Sequence, residues 1–292
     1  MLETIYTRIL PNHGYRIIWV MPSGTDTTIR NWEMAYWNGT KVYLLRKDQA
    51  DSYFRKLTGR IRDLYKVLNY IFESEKIDII QARTYWICGL MSVFAKIKWK
   101  VPFVFQISFP ESGVLPGTGL LKLRGLFYKY MERFLLIQAD LVFPISQWMQ
   151  ARFEEEGIPA SKMVSLPMGS DTSINLREDI AQVIRKQYGL GKCRVVIYIG
   201  DIGRARKLDF LLRVITRVAK DVPDIRLLMV GSSGEQGETD EWLKRVAVKL
   251  GVQDRVIFTG QVPRNEVPGF ILASDVGVSP IVPLPHLSLI HI

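Results

Sequence analysis

Cysteine is almost absent from these 292 residues: only Cys88 and Cys193 occur, far apart and with no second ligand at metal-binding spacing. A disulfide framework and a zinc site are thereby excluded, and a reducing cytoplasm fits. Long apolar runs are lacking too. The longest, around Trp86 to Ala95, falls far short of the roughly 20 residues that cross a bilayer, and Met1 opens no signal-peptide pattern. A soluble or peripheral protein is expected. No low-complexity tract is present, so the chain should fold throughout. Two nucleotide-binding signatures are also missing. Gly231, Gly234 and Gly237 have the wrong spacing for a dinucleotide loop, and Gly191-Lys192 lacks both the earlier glycine and the following Ser or Thr of a phosphate loop.

What is present is an ordinary globular composition, 48% hydrophobic and 23% charged, on a length that suits two domains of about 150 residues. Each is large enough to bury a core. The net charge of +10 favours anionic partners, such as phosphates or acidic lipid headgroups. The excess is spread over both halves and forms no basic tail of the kind that wraps nucleic acid, and no nucleic-acid partner is expected.

Short apolar runs alternate with stretches of helical period, the pattern of an α/β protein with parallel strands. The strands expected are Arg16–Met21, Lys41–Leu45, Ile77–Gln81, Phe103–Ile107, Leu141–Ile145, Met163–Leu166, Val195–Ile199, Arg226–Val230, Val256–Thr259 and Val276–Val278. Most are apolar on both faces, as buried parallel strands must be. Helices are expected over Arg60–Ser74, Leu121–Gln138, Asp209–Lys220 and Thr239–Leu250. A break near Pro167–Asp171 divides two Rossmann-like domains, residues 1–170 and 171–292. A doubly wound domain should open on a buried strand. Leu2–Leu10 reads instead as a helix, so the first strand is expected to precede Met1.

The segment richest in chemistry is Tyr198-Ile-Gly-Asp-Ile-Gly-Arg-Ala-Arg-Lys-Leu-Asp, a strand, a glycine-containing loop with Arg204, Arg206 and Lys207, and a helix start. Backbone N–H groups at a helix N-terminus beside fixed cations suit a diphosphate. Two further strands end in glycine, at Gly231 and Gly260. Ligands of open α/β sheets sit at the carboxyl ends of strands, so Gly200, Gly231 and Gly260 should share one rim. In the first domain, Lys122, Arg124, Lys129 and Arg133 recur along a helix that also carries Leu121, Leu126, Phe127, Met131 and Leu135. Such a helix can lie on an anionic membrane or turn its apolar face to the core.

The order Ala139-Asp-Leu-Val-Phe-Pro-Ile-Ser, Val164-Ser-Leu-Pro-Met-Gly-Ser-Asp, Tyr198-Ile-Gly, Leu228-Met-Val-Gly, Asp254-Arg-Val-Ile-Phe-Thr-Gly-Gln-Val and Ala273-Ser-Asp-Val-Gly-Val-Ser-Pro resembles the retaining glycosyltransferases of family 4, also called group 1. The resemblance implies the two-domain GT-B fold. It also implies a nucleotide-sugar donor held mainly by the C-terminal domain, front-face attack, and no metal or other cofactor. It puts Arg206 in the place of the family's basic residue that neutralises the donor diphosphate. Asp201 replaces the usual Arg after the strand's glycine, which leaves Arg204 or Lys207 as the substitute. Donor contacts are expected from Gly200, Arg204, Gly231, Gly260 and Val262, and catalytic charge from Arg206 and Lys207. The family's His after the strand Phe103–Ile107 is absent, and Gln106 and Glu111 stand there as acceptor-side candidates.

The family's first glycine-rich loop would lie before Met1 and its Glu-x7-Glu carboxylates after Pro285, so this stretch is expected to be inactive by itself. Leu287–Ile292 resembles translated adapter sequence. The acceptor implied is a glycan or a lipid-linked acceptor in cell-surface polysaccharide or glycoconjugate synthesis, handled in the cytoplasm or on the inner face of the membrane. A nucleotide-sugar epimerase on the same scaffold and a non-enzymatic binder of anionic surfaces are the competing readings. A metal-dependent transferase of the other fold would want D-x-D, and Glu238-Thr-Asp reads as helix-start charge.

Overall fold

Runs such as Val195-Val-Ile-Tyr-Ile carry no polar face, so they are stable only in the middle of a parallel sheet with helices on both sides. The computed structural model, which describes residues 4–23, 32–46, 52–109, 120–169, 178–233 and 238–280, has this architecture twice. One compact unit runs to Ser170 and a second spans Asp171–Pro283.

The first unit opens with the helical turns Ile5–Ile9 and Leu10–Asn12. There follow β1 (Ile18–Pro22), β2 (Trp32–Trp37), β3 (Thr40–Leu45), α1 (Tyr53–Ser74), β4 (Ile80–Arg83), α2 (Trp86–Trp99), β5 (Phe103–Ile107), α3 (Leu120–Gln138), β6 (Leu141–Pro144) and α4 (Gln147–Glu155). Its strands form two sheets of order β1-β3-β2 and β4-β5-β6. Among the described strands only β2 runs antiparallel, paired to β3 through Asn38-Gly39, and it is not among the strands expected. Both turn residues have positive φ, 47° and 79°, the geometry of a two-residue hairpin turn.

Met163–Leu166, expected as a strand, is not one. Met163 makes a single bridge to Val142, and the N–H groups of Val164 and Leu166 donate to Val142 and Pro144. The following Pro167 has no N–H to continue a ladder. Helix α1 starts earlier than the expected Arg60, because Ser52 caps it by accepting the Arg55 N–H at 3.3 Å. Helix α2 is apolar nearly all round and has no periodicity to read. Its Gly89 lets α3 approach so closely that a Cβ there would lie 2.5 Å from Leu135.

Buried Phe103, Phe105, Leu135, Val142 and Phe153 centre one core between β4–β6 and the helices, while Tyr43, Val67, Ile71 and Met91 centre another under β3 and α1. The apolar set expected on α3 is split. Leu135 is in the core with Met131 packed against it, whereas Leu126 and Phe127 are exposed. The side chains of Leu121 and Lys122 lie outside the described residues. No helix among the described residues is long and apolar enough to cross a membrane.

The second unit runs α5 (Glu178–Gln187), β7 (Val195–Ile199), α6 (Asp209–Val218), β8 (Arg226–Val230), α7 (Glu238–Lys249), β9 (Val256–Gly260), α8 (Val267–Leu272) and β10 (Val276–Gly277). Its parallel sheet has the order β10-β7-β8-β9. Successive residues of β8 feed opposite faces. Leu227 and Met229 join the core under α6 and α7, and Leu228 and Val230 join the core with Ile184 and Phe270.

Candidate functional site

In the second unit the carboxyl ends of β7, β8 and β9 converge on the three glycines. The Gly200 N–H donates to the Val230 carbonyl at 2.9 Å, and the Gly231 N–H donates to the Gly260 carbonyl at 2.9 Å. The approach is so close that a Cβ on Gly231 would sit 1.9 Å from the Gly200 carbonyl oxygen. At Gly231 that space is filled by the Gly200 carbonyl and at Gly200 it is bordered by the Tyr198 hydroxyl, whereas at Gly260 nothing lies within 4 Å, so the part of the rim open to a ligand is the backbone at Gly260. Val262, expected beside it, packs against the core of Val230 and Phe270.

The loop after β7 is built by Asp201. Its carboxylate accepts the Gly203 N–H at 2.9 Å, and its carbonyl accepts the Tyr198 hydroxyl at 2.7 Å. A 3₁₀ turn, Arg204–Arg206, follows, and Lys207 closes it in the left-handed conformation at φ 49°. The three cations do not converge on one point. Arg206 Nε lies 3.7 Å from the Asp201 carboxylate, Arg204 lies over the Trp242 ring at 5.5 Å, and Lys207 is exposed. Burial raises the Tyr198 hydroxyl pKa and Asp201 adds to that, while Arg206 opposes it. Arg206 is thus paired, loosely and in solvent, with the acid that stands where the resemblance expects an arginine.

The first unit has its own polar rim at the ends of β4 and β5. Gln106 is buried and accepts from Gln81 Nε2 at 3.2 Å, and the same nitrogen donates to the Tyr6 hydroxyl at 2.6 Å. Arg83 Nε donates to the Ser108 hydroxyl at 3.0 Å, and the Ser108 N–H donates to Thr84 Oγ1 at 3.2 Å. Thr84 has φ 56°, a costly conformation for a β-branched residue. Burial lowers the Arg83 pKa, and no ion pair to it occurs among the described residues. Arg83, Thr84 and Ser108 were not singled out from sequence, although polar residues closing a buried strand were the available signal. Glu111 lies outside the described residues.

Residues 7–169 match the model of the glycosyl transferase 4-like domain, and residues 181–282 match that of glycosyl transferases group 1. The chain is 32% identical over 143 residues to a GDP-mannose-dependent alpha-(1-6)-phosphatidylinositol monomannoside mannosyltransferase of Mycolicibacterium smegmatis, covering 49% of this chain and 36% of that protein. It is 23% identical over 217 residues to alpha-monoglucosyldiacylglycerol synthase of Streptococcus pneumoniae, covering 72% of this chain and 48% of that one. The chain thus spans about a third to a half of these curated relatives. Sucrose-phosphate synthase of Thermosynechococcus elongatus superposes with a TM-score of 0.74 at 17% identity, over 94% of this chain and 68% of that one. Anabaena HepE in complex with UDP superposes with a TM-score of 0.64 at 21% identity, over 84% and 62%. These likenesses establish the fold, α/β with two Rossmann-like halves as in GT-B proteins.

Proposed function

The chain belongs to the group 1 glycosyl transferases with a 4-like N-terminal part, and from that premise we propose that its protein moves a hexosyl group from a nucleotide-sugar to a lipid-linked or glycan acceptor. The transfer retains anomeric configuration and serves cell-surface glycoconjugate synthesis at the cytoplasmic face of a membrane. The observation that carries this reading is the glycine rim of the second unit, open at Gly260, with the Arg206 guanidinium paired to Asp201 in the loop that follows Gly200. Cleavage of the donor breaks the bond from the anomeric carbon to the diphosphate oxygen and leaves negative charge on the diphosphate. A guanidinium turned to that diphosphate stabilises the charge as it develops. The new bond forms to an acceptor hydroxyl on the same face, and that hydroxyl's proton leaves with the diphosphate.

Donor contacts in this reading are Gly200, Gly231 and Gly260, with Arg204 and Lys207 as further cations and Val262 as packing behind the rim. Relatives and structural neighbours named for GDP-mannose and UDP support a nucleotide-sugar, and those named for phosphatidylinositol and diacylglycerol products support a lipid acceptor. On the acceptor side the candidates are Gln106 and Glu111, to which the geometry adds Arg83 and Ser108.

Calorimetry with GDP and UDP tests the donor side. Arg206→Ala should weaken binding by about 1.5–3 kcal/mol, the range of a charge-assisted hydrogen bond. Equal affinity of the two proteins removes Arg206 from the site. Turnover of a nucleotide-sugar into its epimer without any acceptor would replace transfer by isomerisation.

A further inference from the structure

Helix α3 is apolar on two opposite sides. One side, with Leu135 and Leu136 fully buried, faces the core of the first unit. The other carries Leu123, Leu126, Phe127, Tyr130, Phe134 and Ile137, which are 40–67% exposed. At 100° per residue these six fall within one stripe opposite the buried side, and 14 residues of rise make it about 21 Å long. A solvent-facing stripe of this kind is unfavourable in water and marks a surface that meets something apolar. Exposed Arg124, Lys129 and Arg133 flank it, and the one acid among residues 123–138, Glu132, is buried. The rim of the stripe is therefore cationic without an exposed carboxylate on the helix.

We propose that this outer face of α3 is a membrane-docking surface, seating its apolar stripe at the acyl boundary of a bilayer whose anionic headgroups meet Arg124, Lys129 and Arg133. Apolar burial and cation–headgroup attraction are the two terms that hold an amphipathic helix in an interface. A second copy of the chain is a poorer occupant, since two-fold pairing of this face would bring like charges together. The proposal rests on the lipid-linked acceptor of the previous section and names the surface that would bring the enzyme to it.

The test is co-sedimentation with phosphatidylglycerol-containing and pure phosphatidylcholine vesicles, using the wild-type chain, Leu123→Glu/Tyr130→Glu, and Lys129→Glu. All these positions are exposed, so circular dichroism should be unchanged. Wild type should bind acidic vesicles, more weakly as salt rises. The double variant should lose at least about tenfold in partitioning, and Lys129→Glu should lose less and show a shallower salt dependence. Absence of wild-type binding, or equal binding by the double variant, overturns the proposal. So does a stripe variant that turns a dimer into a monomer while vesicle binding stays intact. GDP and UDP calorimetry on the same variants keeps the two readings apart. The double variant should lose vesicle binding while keeping nucleotide binding; a wild type that binds vesicles but no nucleotide counts against the transferase reading, and one that binds nucleotide but no vesicles counts against this surface.

Discussion

Gly231 and Gly260 lie on the same rim for different reasons. At Gly231 a methyl group would stand 1.9 Å from the Gly200 carbonyl oxygen and the backbone has φ 136°, whereas at Gly260 the space is open and φ is 71°. Gly260→Ala should therefore cost only the left-handed backbone, about 1–2 kcal/mol. Gly231→Ala adds a clash with main chain that cannot rotate away, and should cost about 2–4 kcal/mol in all. It should also displace the Gly200 loop and Arg206 with it. Urea unfolding followed by nucleotide calorimetry checks both points. Similar losses for the two variants would mean that the Gly200 carbonyl can move aside from Gly231.

At the scale of elements, two acidic residues in the segments that resemble the family have a structural task. Asp140 accepts the Phe103 N–H at 2.8 Å and pairs with Lys96 Nζ at 2.7 Å. Asp275 accepts the Val195 N–H at 2.7 Å. Each fastens the entry of a central strand, β5 or β7, from the chain leading into its neighbour. Burial works against the Asp140 charge, but Lys96 and the Phe103 N–H outweigh it, and its pKa lies below the ordinary aspartate range. A depressed folded pKa gives stability that is complete above the unfolded value, near 3.9, and is lost as pH falls through the folded one. Asp140→Asn should thus be less stable than wild type at neutral pH by about 1 kcal/mol, a figure lowered for solvent screening. The gap should close toward acid, as urea midpoints measured across that range would report. A gap that persists unchanged in acid would assign the effect to packing.

The same scale explains what was legible. Phe103–Ile107, Val195–Ile199 and Arg226–Val230 coincide with their expected limits, because a strand buried on both faces leaves a run that is apolar on both faces, here with only Gln106 and Arg226 as polar members, ended by polar or glycine residues. The hairpin strand Trp32–Trp37 was missed although Asn38-Gly39 was there to be read; its aromatic residues mix with Glu33 and give no clean alternation. The glycine rim followed from the strand-end rule. The tethering of Arg206 to Asp201 and of Arg204 to Trp242 did not, since both depend on where side chains turn after the loop has folded. The exposed side of α3 was hidden for a related reason. Two apolar sides on one helix look like a single broad one until the core has taken its share.

For the whole molecule, the cores predict how it comes apart. The clusters around Phe103 and Tyr43 belong to the first unit, and those around Leu212 and Phe270 to the second. Each unit therefore has its own apolar driving force. Heating should give two transitions, and a nucleoside diphosphate should move only one of them, because a ligand stabilises the part that binds it by RT ln(1 + [L]/Kd), about 2.7 kcal/mol at a hundredfold excess over Kd. That transition should be the one lowered by Gly231→Ala, while Asp140→Asn should lower the other. Differential scanning calorimetry on the three proteins, with and without GDP or UDP, supplies the comparison. A ligand shift confined to the transition that responds to Asp140→Asn would move the donor site to the first unit. A single transition lowered by both substitutions would mean that the two cores unfold as one.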